Sequence, residues 1–76
     1  MEKYEFNIGD VLIEIGEDEK MYVYAADDDF YYISSLGNGY PCVFPRSECE
    51  EKFVAVGNMT DEEAYAEINM NVSKKK

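Results

Sequence analysis

The side chains of this sequence best equipped for chemistry are carboxylates and two thiols. Asp27, Asp28 and Asp29 stand side by side in the stretch YAADDDFYY, and further acid recurs as Glu14, Glu17-Asp18-Glu19, Glu48, Glu50-Glu51 and Asp61-Glu62-Glu63 with Glu67. Clustered carboxylates can ligate a hard cation, transfer protons, or present a negative surface to a basic partner. A calcium loop spaces its ligands at alternate positions, bends at a glycine and ends in Glu. The aspartate triplet does neither, so no metal site is expected.

Proton transfer and thiol chemistry fare no better. The chain has no His, which removes the commonest general base and most zinc chemistry. Cys42 and Cys49 are the only cysteines, too few for a structural zinc site, and a reactive thiol needs a basic neighbour. Only Arg46 and Lys52 lie near them in sequence. Both cysteines are expected to be reduced structural thiols, with no catalytic residue and no cofactor. The protein is therefore read as a non-enzyme.

The negative surface remains. Formal net charge is -10 over 76 residues, and residues 1–73 hold all 17 acidic side chains but only four of the seven basic ones. Self-repulsion of this size costs stability in a domain this small. A surface shaped only for solubility mixes both signs; here one sign dominates throughout. Nucleic acid and anionic membrane are both excluded as direct partners by like charge. No apolar run has the length of a signal peptide or a membrane span, so a cytoplasmic location is expected.

What must position these groups is a small, mainly β domain. Val11, Ile13 and Ile15 alternate with Glu14 as a half-buried strand does, after a turn over residues 6–10. Met21, Val23 and Ala25 alternate with Tyr22 and Tyr24 in a second strand beyond the polar loop 16–20. The aspartate triplet then caps a hairpin leading into the β-forming run 30–36. Residues 42–44 and 53–57 give two more short strands, with one helical turn over 45–51 between them. Thr60 and Glu63 have capping-box spacing, and Ala64, Tyr65, Ile68 and Val72 recur at helical period, predicting a C-terminal helix over about 60–72 docked by Tyr65 and Ile68. Residues 1–73 thus form a single acidic domain, and Lys74, Lys75 and Lys76 a basic tail.

The order of a Gly-Asp turn, strand, acidic loop, strand, tight turn and strand, followed by VFPRSECEEKFVAV as strand, helical turn and strand, resembles an SH3-like five-stranded barrel. Peptide-binding SH3 domains hold polyproline with a groove that includes Trp. This chain has no Trp, so that function is not carried over.

In overall character, short, acidic, His-free and Tyr-rich, the chain is similar to bacteriophage DNA-mimic inhibitors, which occupy nucleic-acid sites of host proteins. That resemblance implies a basic DNA-binding partner, with the nucleoid protein HU as lead target, in the host cell cytoplasm. Alternate strand residues lie about 6.6–6.8 Å apart, close to two base rises of a DNA strand at about 3.4 Å each. Carboxylates on strand faces and hairpin tips would thus suit a basic surface. The expected contact set is Glu14, Glu17, Asp18, Glu19, Tyr22, Tyr24, Asp27, Asp28, Asp29, Glu48, Glu50 and Glu51. For Tyr22 and Tyr24 two roles stay open: a second small core under the C-terminal helix, or a contact surface, either a homodimer seam or Tyr anchors ringed by acid for a basic partner. The alternative function is a small non-enzymatic adaptor or structural module that binds a protein through this Tyr-rich face, with the acid incidental.

Overall fold

The computed structural model describes residues 5–74. Strands β1 (Asp10–Glu14), β2 (Lys20–Ala26), β3 (Phe30–Ser35) and β4 (Pro41–Pro45) lead to helix α1 (Arg46–Lys52), strand β5 (Phe53–Asn58) and helix α2 (Asp61–Lys74). Every neighbouring strand pair is antiparallel, in the order β4-β3-β2-β1-β5. All the predicted elements are present, and α2 reaches Lys74, two residues beyond its expected end. Lys75 and Lys76, the rest of the expected tail, lie outside the described residues.

The expected barrel closure is not found: β4 and β5 are the two edges of an open sheet, and the fold is mixed α/β. Composition explains why these edges do not extend the ladder. Pro41 and Pro45 leave β4 two residues without an N–H, and a register shift against Val11/Leu12 breaks the regular pairing of β5 with β1.

Both faces of the sheet are covered in part. Met21 and Val23 of β2 join Phe6, Leu12, Tyr31, Ile33, Cys49 and Phe53 in the larger core, which α1 closes through Cys49. Full burial of side chains such as Leu12, Val23 and Ile33 contributes about 1.5–3 kcal/mol each. Here β1 departs from the predicted alternation. Leu12 enters the larger core, Val11 enters a second cluster on the other side, and Ile15 lies beyond the strand end and is exposed. A strand flanked on both sides and covered on both faces has no solvent side for alternation to report.

The second cluster packs Val11, Tyr22, Leu36 and Ala64, flanked by Met59 and Ile68, beneath α2. The capping box starts that helix as predicted: Thr60 N donates to Glu63 Oε1 at 2.9 Å and Glu63 N donates to Thr60 Oγ1 at 3.2 Å. Docking is by Ala64 and Ile68, not by Tyr65, which is 70% exposed. Small Ala64 lets the helix approach the sheet closely, and one residue further on the side chain is turned about 100° away from that contact. Asn71 Nδ2 donates to the Leu36 carbonyl at 2.8 Å and fixes the far end of the helix over the β3–β4 loop.

Candidate functional site

The aspartate triplet caps the β2–β3 hairpin as its sequence predicts, and its three carboxylates have different work. Asp27 Oδ1 accepts from Asp29 N at 2.9 Å and Phe30 N at 2.8 Å, while Oδ2 accepts from the Tyr32 hydroxyl at 2.8 Å. The Tyr32 bond and then the two backbone donors hold the Asp27 carboxyl below its ordinary range. Asp27 is thus the residue that builds the turn, an Asx arrangement supported from the neighbouring strand. Asp28 and Asp29 are exposed at the tip.

Arg46 stands against this tip. Its Nη1 donates to the Asp28 carbonyl at 3.3 Å, its backbone N donates to the Asp29 carbonyl at 2.9 Å, and its Nε lies 3.6 Å from Glu50 Oε2. Glu50 also accepts from the Tyr31 hydroxyl at 2.7 Å, and this bond, ahead of the others, holds its carboxyl low. Together Asp28, Asp29, Pro45, Arg46, Ser47 and Glu50 edge a shallow concavity of about 330 Å³.

Glu17, Asp18 and Glu19 occupy the β1–β2 loop, at the opposite end of the strands from the triplet. Gly16, at φ +93°, makes the bend that releases the chain from β1. Glu19 accepts from the Ser35 hydroxyl, tying this loop to the end of β3. Glu14 sits opposite Phe53 in the β1–β5 ladder. On α1, Glu48 pairs with Lys52 at 3.0 Å, an interaction that raises the Lys52 pKa, and Glu51 is exposed.

The acidic residues of the predicted contact set therefore fall at the two ends of the sheet and on α1, which runs between those ends. The strand-spacing argument is not realised. Within the described strands, acid occurs only at Asp10 and Glu14, and the large hydrophobic side chains exposed on them include Tyr24, Phe30, Val43, Val54 and Val56. β-Propensity explains this: aspartate and glutamate are poor strand formers and collect in turns and helices.

The two tyrosines divide between the roles left open for them. Tyr22 is buried in the second cluster and its hydroxyl donates to Asp61. Burial first, and that bond second, push its phenol up to about 12. Tyr24 is 43% exposed and packs its ring against Tyr32 with centroids 6.4 Å apart. Between the exposed part of this sheet face and α2 runs a cleft of about 490 Å³ lined by Tyr22, Tyr24, Ser34, Gly39, Pro41, Asp61, Ala64, Tyr65, Ile68 and Asn69. Asp61, Tyr65 and Pro41 were outside the expected contact set. The sequence signal for Asp61 and Tyr65 is the capping box: once Thr60 starts the helix and Ala64 docks it, Asp61 falls one turn before Ala64 and Tyr65 one turn after Asp61.

Cys49 is fully buried, and burial, reinforced by Glu50 and Glu48, pushes its thiol up to about 11, far from a reactive thiolate. Cys42 is half-buried, and both cysteines are free thiols. Among the described residues no group of three or more His, Cys, Asp or Glu is placed to hold a metal ion, and no helix is long and apolar enough to cross a membrane. Comparison with known proteins yields no match, whether to a protein family, a curated protein or a solved structure.

Proposed function

We propose that this protein is a non-enzymatic acidic inhibitor that binds a basic DNA-binding protein in competition with DNA, with HU as the first target to test. The observation that carries this reading is the excess of acidic over basic side chains among the described residues. Among the described residues the basic side chains of known placement are Lys20, Arg46 and Lys52, and two of these are engaged with Glu50 and Glu48 on α1 itself. Both sheet ends and the first turn of α2 carry more acidic than basic side chains among the described residues. A field of one sign over a small body speeds encounter with a basic surface and discourages acidic competitors. The strand order, with β1 between β2 and β5 and a helix ahead of β5, supports describing the scaffold as an open relative of the SH3-like arrangement.

A small adaptor or structural module that binds a protein through its Tyr-rich face is the second reading, and the exposed rings of Tyr24 and Tyr65 favour it. Salt separates the two, because charge-driven association weakens as salt screens it while an apolar interface does not. The test is displacement of labelled DNA from HU, followed by fluorescence polarisation at low and at physiological salt. Wild type should displace DNA at low salt and lose potency as salt rises. A variant with Glu17→Gln, Asp18→Asn, Asp28→Asn and Asp29→Asn keeps loop and turn chemistry, removes four charges, and should displace less with a shallower salt slope. No displacement at low salt, where the field acts furthest, would sink the proposal for HU.

A further inference from the structure

The cleft between α2 and the sheet combines three properties. It is lined by the rings of Tyr24 and Tyr65, by apolar Pro41 and Ile68, and by Asp61 on α2. Its volume of about 490 Å³ lies within the range of about 300–1,000 Å³ that suits a small ligand or a side chain with flanking backbone. Asp61 accepts one bond from Tyr22, and a carboxylate has further acceptor capacity.

We infer that this cleft docks an arginine side chain borne on an extended segment of a basic protein, with the guanidinium against the tyrosine rings and Asp61 as its counter-charge. The assignment rests on the acidic-inhibitor reading and names the anchor within it. A guanidinium fits because it is planar, stacks on aromatic faces and donates to carboxylates from a rigid fork, whereas an ammonium is more strongly hydrated. A second copy of this chain is disfavoured by a net charge of -10 on each body, and nucleic acid by the same sign. The site also gives the inhibitor what a diffuse field lacks, aromatic surface beside a carboxylate at one defined place.

The test is an NMR titration of isotope-labelled protein with three capped glycine-flanked pentapeptides bearing arginine, lysine or the neutral isostere citrulline. Arginine should give saturable shifts at Gly39, Ala64, Tyr65 and Ile68, lysine should bind about three-fold more weakly, and citrulline should give none. Tyr65→Ala removes an exposed ring and should leave the fold intact while weakening arginine binding about three- to ten-fold. Asp28→Asn with Asp29→Asn should leave it unchanged. Shifts confined to the 17–19 and 27–29 loops, or equal binding of arginine and lysine, would overturn the assignment. If Tyr65→Ala displaces DNA from HU as well as wild type does while the four-charge variant does not, the cleft fails and the acidic-inhibitor reading survives. If wild type itself displaces no DNA at low salt, that reading fails instead.

Discussion

Replacing Tyr31 by Phe isolates the hydroxyl that links the larger core to the acidic end of the sheet. The ring is fully buried, packs against Phe6 with centroids 5.5 Å apart, and fits equally well as Phe. What is lost is the phenol oxygen, which donates to Glu50 Oε2 at 2.7 Å and accepts from Phe6 N at 3.2 Å. A hydrogen bond to a charged group contributes about 1.5–3 kcal/mol, and a buried N–H left without an acceptor costs about 1–3 kcal/mol. The two share one oxygen and one neighbourhood and do not add fully, so the substitution should destabilise by about 2–4 kcal/mol.

Urea and thermal melts followed by circular dichroism measure it, at about 4–8 °C of Tm per kcal/mol for a domain of this size. The difference should also depend on pH in a stated direction. Glu50 has its folded pKa lowered, chiefly by Tyr31, so its contribution is present above the ordinary carboxylate value and is lost as pH falls through the folded one. Tyr31 has its pKa raised, by burial and then by Glu50, so its contribution is present below the ordinary phenol value and is lost as pH rises through the folded one. The gap between wild type and variant is therefore widest around neutral pH and narrows on both sides. Equal Tm for the two proteins at neutral pH, or a gap that widens in acid, would refute this account of the Tyr31–Glu50 link.

Thr60→Ala should remove one half of the capping box and cost about 0.5–2 kcal/mol by chemical denaturation, with α2 fraying first in hydrogen exchange. Under native conditions a thiol reagent should modify Cys42 ahead of Cys49, whose labelling should wait for unfolding; equal rates would contradict the burial of Cys49. Ultraviolet titration of the tyrosines should find Tyr22 among the last to ionise. Its raised folded pKa stabilises below the ordinary phenol value of 10.0, and that contribution should disappear as pH rises through about 12. Tyr22→Phe should abolish this late step without disturbing the Tyr24–Tyr32 contact.

Local chemistry made much of the fold legible. Short β-rich runs bounded by Gly, Pro and acidic turns located all five strands, and the Thr60–Glu63 spacing located the start of α2. Two kinds of information were missing. Closure of a sheet is decided by edges far apart in sequence, and the prolines of β4 and the irregular pairing of β5 act on that geometry without altering any local strand signal. The face of α2 that docks depends on how closely the helix approaches. Size alone favoured Tyr65, whereas close packing selected Ala64 and released Tyr65 into the cleft.

The aspartate run shows the same division at the scale of one turn. Composition says that three adjacent carboxylates belong at a hairpin tip, but it does not say which one the backbone claims. Asp27 stands first, where its carboxylate can reach the N–H groups two and three residues on and also meet Tyr32, so it serves the hairpin and keeps its charge low in pKa for that reason. Asp28 and Asp29 follow at the exposed tip, with Arg46 bonded to their carbonyl groups from the side. The tip is consequently ordered before any partner arrives, so a basic surface meeting it does not bear the entropy of arranging a loose acidic tail. Asp27→Ala should loosen the β2–β3 turn, visible as faster hydrogen exchange at Asp29 and Phe30. Asp28→Asn with Asp29→Asn should leave that exchange unchanged and alter only the response to basic partners. If both variants loosen the turn alike, the division of labour within the triplet is wrong, and the charge at the tip cannot be varied independently of its structure.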